Sequence, residues 1–220
     1  IETWGIGAHG MWANVNSIAL NTGSILTHGD YAYGIKATSN STAINTGSIL
    51  TSGFESHGIS AQDSIVMNTG SIEAEGTISA GIYGVNSAIL NTGSVKTSGA
   101  TSSGILLWEG SVVNTGTVET SGSNSEALYA GEAFAVNTGT LKTTGANSAA
   151  AHIDENSLFI NTGVLDSENG NAVTADGNSI VVLLDGTVLA GSHTLEDVDG
   201  DSDLAVLMDD DLAAQVVNFG

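Results

Sequence analysis

The chain has 220 residues, 41% of them hydrophobic, and 24 acidic side chains against three lysines give a formal net charge of −21. Such a surface repels nucleic acid and anionic membranes, so neither is expected as a partner. The chain has no cysteine and no proline, which excludes disulfides, thiolate metal sites and a cysteine nucleophile. No apolar run reaches the roughly 18 residues that a membrane-spanning helix needs.

A short repeat runs through the chain. The triplet Asn-Thr-Gly returns every 23 or 24 residues, and a degenerate copy without the Asn follows at Leu184-Asp185-Gly186. A constant period in this range is typical of solenoids and related arrays. The repeated Asn residues are Asn21, Asn45, Asn68, Asn91, Asn114, Asn137 and Asn161.

Within each repeat, apolar and polar residues alternate with the period of a β-strand. Three apolar columns recur, and we expect all three to face inward. One stands immediately before the Asn, one stands four places after it, and one lies in segments such as Gly34-Ile35-Lys36-Ala37. Their members are Leu20, Ile44, Met67, Leu90, Val113, Val136, Ile160 and Leu183; Ile25, Ile49, Ile72, Val95, Val118, Leu141, Leu165 and Val188; and Met11, Ile35, Ile59, Ile82, Ile105, Leu128, Ala151 and Val173.

This pattern predicts an all-β fold, a parallel β-helix of about eight rungs of ~23 residues with three short strands per rung. Stacked Asn amides are expected to hydrogen-bond from rung to rung, and the Gly of each triplet is expected to supply the positive φ of a corner. We predict a repeat region over residues 1–191, truncated in its first rungs, followed by an acidic loop and terminal rung over residues 192–220.

Two outward columns carry candidate ligand contacts. Aromatic faces on a rigid rod suit sugar rings or protein partners, which makes Trp12, Tyr83, Leu106, Tyr129 and His152 the predicted binding residues, although aromatics are also common in ordinary strands. His9, Tyr33 and His57 share another column, where the two histidines stand too far apart to share a metal.

Two groups of acidic residues offer alternatives. Glu109 and Glu132 fall on adjacent rungs, so a polysaccharide lyase or glycosidase-like enzyme acting through this pair is the alternative function; the plain interpretation is that both face solvent. The tail has alternate carboxylates, as calcium loops do, but it lacks the bidentate Glu of an EF-hand. The only cofactor that the sequence suggests is calcium, bound by Asp197, Asp199, Asp201 and Asp203. The alternative is an acidic loop without metal.

Segments such as "NTGSI" and "NTGTV", joined to "GIKA", "GISA" and "GIYG", resemble the passenger regions of Gram-negative autotransporters, the type V secreted proteins. The resemblance implies a right-handed β-helix at the cell surface or outside a Gram-negative cell, linked to the membrane only through a C-terminal barrel absent from this sequence. It implies a non-enzymatic adhesin, stalk or self-association rod. The expected partners are a glycan or protein on a host or neighbouring cell, or a second copy.

Overall fold

The computed structural model describes residues 1–192 and 194–200, and the backbone alone of residues 203–207. All regular structure in this part of the chain is β-strand. It contains no helix long and apolar enough to cross a membrane.

The strands are short and evenly spaced along the chain. The first twelve are β1 (Glu2–Thr3), β2 (Met11–Asn14), β3 (Ile18–Asn21), β4 (Ser24–Thr27), β5 (Ile35–Thr38), β6 (Thr42–Asn45), β7 (Ser48–Thr51), β8 (Ile59–Gln62), β9 (Ile65–Asn68), β10 (Ser71–Ala74), β11 (Ile82–Asn91) and β12 (Ser94–Thr97). The others are β13 (Ile105–Asn114), β14 (Thr117–Thr120), β15 (Leu128–Asn137), β16 (Thr140–Thr143), β17 (Ala151–Asp154), β18 (Leu158–Asn161), β19 (Val164–Ser167), β20 (Val173–Ala175), β21 (Ile180–Leu184), β22 (Val188–Gly191), β23 (Leu195–Asp197) and β24 (Asp203–Leu207).

Every strand pairs in parallel with its equivalent in the next rung, which confirms the parallel β-helix of about eight turns. One sheet has nine strands, β1-β4-β7-β10-β12-β14-β16-β19-β22, and from β4 onward each follows an Asn-Thr-Gly corner or its equivalent. The other combines the first strand of each rung with the strand that ends at the Asn. These two strands run together in β11, β13 and β15, so each middle rung has one ten-residue strand and one four-residue strand where three short strands were predicted.

The bend between the first two strands explains why the repeat is 23 or 24 residues long. Where the rung has 23 residues, a single non-glycine residue with positive φ makes the bend, as at Asn86 (φ 47°) and Glu132 (φ 49°). In the rung between these two, Gly110 (φ 117°) follows Glu109 (φ 57°). Where it has 24, two such residues stand in succession, as at Ser39 and Asn40 (φ 58° and 60°). The extra residue is absorbed outside the core.

The core is a stack of small and branched side chains. The columns of Ile25 and Ile35 are buried as predicted, apart from Val188 and the partly buried Met11. In the column before the Asn, only Leu183 is buried as predicted, whereas Leu20 is 49% exposed and Met67 is 37% exposed. The residues one place earlier fill the core there, with Ala19, Val66 and Phe159 almost inaccessible. The alternation of a strand explains the error, because a buried Asn forces its immediate neighbour outward.

The last repeat is also shifted from the predicted alignment. Asn161 pairs with Leu183, and Leu165 pairs with Leu189. Val188, predicted to be inward, is 49% exposed. A longer turn around Gly186 (φ 95°) changes the register between these two strands.

The Asn column lies inside the rod and is fully hydrogen-bonded. Each Nδ2 donates to the Oδ1 of the next Asn at 2.7–2.8 Å, from Asn21 to Asn161. At the end of the column, Asn161 Nδ2 donates to Thr187 Oγ1 at 3.1 Å. Because these amides are buried, the continuous chain of hydrogen bonds satisfies groups whose isolation would destabilise the fold.

The glycines of the triplets are needed for a different reason from the predicted one. None of these corner glycines has a positive φ. Instead, a Cβ at Gly47 would lie 2.0 Å from the carbonyl oxygen of Gly23, and one at Gly70 would lie 2.1 Å from that of Gly47. Successive corners therefore stack too closely for any side chain, and glycine is required by this contact.

Candidate functional site: an aromatic groove

The predicted binding residues lie in one outward column of the fifteen-stranded sheet, on the first strand of each rung. Tyr83, Leu106, Tyr129 and His152 are direct neighbours in consecutive rungs. Trp12 belongs to the same column but is separated from Tyr83 by Lys36 and Ser60. The structure therefore brings four of the five together and leaves Trp12 apart.

A second ladder of rings runs alongside this column. The rings of His9 and Tyr33 stack with centroids 4.7 Å apart, and those of Tyr33 and His57 stack at 5.1 Å. Tyr83 leans across to continue the ladder, 4.8 Å from His57. Ala80 takes the position after His57 in this column, and its small side chain leaves room for the Tyr83 ring.

Backbone hydrogen bonds fix the two histidines of the ladder. The Tyr33 N–H donates to His9 Nδ1 at 3.1 Å, and the Ala80 N–H donates to His57 Nδ1 at 2.9 Å. Each neutral ring therefore carries its proton on Nε2. Burial lowers the pKa of His57 to about 4, so this ring is neutral at physiological pH and acts as an aromatic surface.

A third group of rings stands further along the rod. Trp108 and Tyr129 have centroids 5.0 Å apart, as do Tyr129 and His152. The Tyr129 hydroxyl donates to Asp154 Oδ2 at 2.6 Å, and burial together with this carboxylate raises the pKa of the phenol. The indole of Trp108 lies over Gly131, where a Cβ would stand 2.6 Å from its Cζ3 atom.

A groove of about 510 Å³ lies between the ladder that ends at Tyr83 and the rings of Trp108 and Tyr129. We call it the aromatic groove. Small side chains form part of its surface where the ladder column changes to Ala80 and Ser103, and aromatic rings stand at both ends. Its lining residues are Tyr33, Glu55, His57, Ile78, Ala80, Tyr83, Thr101, Ser103, Leu106, Trp108, Glu126 and Tyr129. A pocket of this size, mostly apolar with a few polar groups, is typical of small-ligand sites.

The charges in the aromatic groove are negative. Glu55 and Glu126 both line it, and the Ser103 hydroxyl donates to Glu126 Oε2 at 3.1 Å. A cation stands beyond its N-terminal end, where Lys36 Nζ lies 5.2 Å from the centre of the Trp12 ring and 5.7 Å from that of Tyr33. The groove itself therefore offers ring faces, hydroxyls and two carboxylates.

Only part of this groove was visible in the sequence. The columns of His57 and Tyr83 were identified, but their meeting was not, because it depends on Tyr83 leaning over the small Ala80. Trp108 lies two residues after Leu106 on the same strand, β13, and is therefore outside the predicted column. Two of the predicted binding residues, Trp12 and His152, do not line the groove. Trp12 is 61% exposed, and His152 Nε2 is buried without a hydrogen-bond partner among the described residues.

The carboxylates of the alternative enzyme stand at the bend between the first two strands. Glu109 and Glu132 are exposed neighbours in adjacent rungs. Glu155 continues their column, and its pKa is raised by desolvation and by the hydrogen bond with Glu132. Neither Glu109 nor Glu132 lines the aromatic groove or the polar groove that follows the same bend from Ser39 to Ser111.

The predicted calcium residues are only partly described. Asp201 lies outside the described residues, as does the side chain of Asp203. Asp197 Oδ1 accepts a hydrogen bond from the Gly200 N–H at 3.0 Å, and Asp199 Oδ2 accepts one from the Gly177 N–H at 3.1 Å. Within the described ranges, no three acidic or histidine side chains are placed to hold a metal ion, so calcium binding stays a prediction.

Fold and groove together define a parallel β-helix with an aromatic groove along one flank. Residues 1–133 match the family described as the BigA third pectate lyase-like domain. Because the match covers more than half of the 220 residues, the chain belongs to this family. Every residue that lines the aromatic groove lies within the matched segment. No curated protein matches the sequence.

Proposed function

We propose that this chain is a non-enzymatic adhesive rod that binds a glycan in the aromatic groove, as part of an autotransporter passenger on a Gram-negative cell. The observation that carries the proposal is the groove itself, with rings at both ends and hydroxyls and carboxylates between them. Sugar rings present C–H faces that pack on aromatic rings and hydroxyls that bond to polar side chains. The groove runs along the rod, as an extended saccharide would.

The placement of the two groove acids supports binding over cleavage within the groove. Glu55 precedes the His57 column by two residues, and Glu126 stands three rungs further along that column, so at about 4.8 Å per rung they are roughly 14 Å apart. Glycosidases hold their two carboxyl groups roughly 5–10 Å apart. His57 also offers no free base, because its Nδ1 accepts the Ala80 N–H.

The charge of the groove points to the class of glycan. Two carboxylates line it, and the whole chain has a net charge of −21. A polyuronate would bring further negative charge to this surface and be repelled. We therefore propose an uncharged or amine-bearing saccharide as the ligand.

Titration calorimetry with neutral, amine-bearing and uronate oligosaccharides tests the proposal, with Trp108→Ala and Tyr83→Ala as groove variants. We expect binding of the first two classes, and a loss of about 10-fold or more in affinity for each variant, as for buried aromatic contacts elsewhere. Trp12→Ala is the matched control, because Trp12 is an exposed ring of the same outward column outside the groove. It should bind as the wild type does.

Two results would contradict the proposal. Equal loss of affinity in Trp12→Ala and Trp108→Ala would show that the groove is not the site. Cleavage of any of these glycans by the wild type, abolished in the folded Glu109→Gln/Glu132→Gln variant, would instead establish the alternative enzyme.

A further inference from the structure

The strands that end at the Asn present an apolar face to solvent, which we call the apolar face. Ile18 is 70% exposed, Ile65 50% and Phe134 42%. Because outward positions alternate along a strand, two columns form the face. They are Ile18, Thr42, Ile65, Ala88, Ser111, Phe134, Leu158 and Ile180, and Leu20, Ile44, Met67, Leu90, Val113, Val136, Ile160 and Val182.

No residue of these two columns is charged, although the chain contains 24 acids. An uncharged, mostly apolar surface of this kind, interrupted only by Thr42 and Ser111 and bordered by the polar groove at Ile65 and Ala88, marks an interaction site. At about 4.8 Å per rung and roughly 12 Å in width, eight rungs give a strip of roughly 450 Å².

We infer that the apolar face pairs with the apolar face of a second copy of this chain. Three features favour this occupant. A second copy presents side chains at the same rung spacing, so the side chains of the two faces can interdigitate rung by rung. It brings no charged side chain of the face into the contact, and it forms the self-complementary interface of a two-fold dimer.

The dimer should be weak in solution. Two strips of roughly 450 Å² bury roughly 900 Å² in total, less than the ~1,200 Å² at which stable interfaces begin. We expect a dissociation constant of about 10–1,000 μM, with tighter pairing where many copies share one surface.

The borders of the apolar face decide how the two rods are oriented. On one side the bend carries acids, including Asp63, Glu109 and Glu132. On the other side stand the neutral threonines of the triplets, such as Thr69 and Thr92. A two-fold axis parallel to the rods sets each acidic border against the partner's neutral border, whereas a perpendicular axis would set acid against acid. We therefore infer that the paired rods point in the same direction.

Sedimentation velocity over about 10–1,000 μM protein, in about 0.05 M and 0.5 M NaCl, tests the pairing. We expect a monomer–dimer equilibrium that is stronger at the higher salt concentration, because two acidic rods then repel less. Ile65→Glu and Phe134→Glu should abolish it. Val188→Glu is the matched control: Val188 is a similarly exposed apolar residue on the other sheet, and its substitution should leave the dimer intact.

Cysteine crosslinking tests the orientation, since the chain has no cysteine of its own. Leu20→Cys lies near one end of the apolar face and Leu90→Cys lies near its middle. Rods that point the same way bring each cysteine close to its own copy, so both variants should form disulfide dimers under mild oxidation. Opposed rods would give dimers only from Leu90→Cys.

Three outcomes would overturn the inference. A monomer at every concentration and salt would refute the pairing. A dimer unaffected by Ile65→Glu and Phe134→Glu, with native circular dichroism retained, would place the contact elsewhere. Dimers from Leu90→Cys alone would refute the common direction of the rods.

Discussion

His57 shows how one side chain in this rod serves both the ladder and the groove. It lies between Tyr33 and Tyr83, accepts a backbone hydrogen bond and lines the aromatic groove. Its ring can do this only while it is neutral, since protonation would place a charge in a buried stack. Because its pKa falls from 6.5 to about 4 on folding, the unfolded chain binds this proton more readily than the folded one does.

We therefore predict that His57 makes stability depend on pH. Its contribution is complete above about pH 6.5 and is lost as the pH falls toward 4, by about 3 kcal/mol in all. His57→Phe keeps the stack but lacks the titrating group, so the difference in unfolding free energy between wild type and variant should shrink over this interval. Urea denaturation at pH 7, 5.5 and 4 measures it. Parallel pH curves for the two proteins would contradict the prediction.

The Asn ladder behaves as one element because each amide depends on its two neighbours. In Asn91→Leu, Asn68 Nδ2 loses its acceptor at 2.8 Å and keeps only the longer contacts to the Gly70 and Ser94 carbonyls, while Asn114 Oδ1 loses its donor. We expect a loss of about 2–4 kcal/mol in the free energy of unfolding, from one weakened and one unsatisfied buried polar group. Thr92→Val, at an exposed site of the same corner, should stay within about 0.5 kcal/mol of wild type. Equal effects of the two substitutions on denaturant midpoints would show that the ladder is not needed.

How far these elements follow from sequence depends on the kind of interaction. The columns of Asn91 and Ile25 were predictable, because their spacing is constant and their residue types fit stacking. The orientation of Leu20 was not, because the buried Asn beside it is tolerated only through the ladder, which reverses the usual assignment of apolar residues to the core. The aromatic groove depends on ring positions between columns, as where Tyr83 meets His57, and a linear alignment does not contain this information.

The whole rod carries far more negative charge than it can pair. Among the described residues the lysine ion pairs are those of Lys142, with Asp166 at 3.0 Å and Glu168 at 3.6 Å. We predict that raising NaCl from about 0.02 to 0.5 M raises the melting temperature by a few degrees, since salt screens repulsion between the acids. Calorimetry in dilute protein measures this without dimer formation. Lys142→Gln should keep the trend, and a melting temperature that falls with salt would contradict it.

The bend between the first two strands of a rung, with its one or two positive-φ residues, is a position where the chain tolerates an inserted residue. Rungs with one residue at the bend and rungs with two, such as Ser39 and Asn40, keep the same inward columns and the same stacked corners. An insertion at this bend therefore leaves the neighbouring rungs in place, whereas an insertion inside a strand would turn every following side chain to the opposite face. The bend is thus the natural position for grafting a peptide loop, because it can lengthen the exposed contour of one rung while the interior continues unchanged.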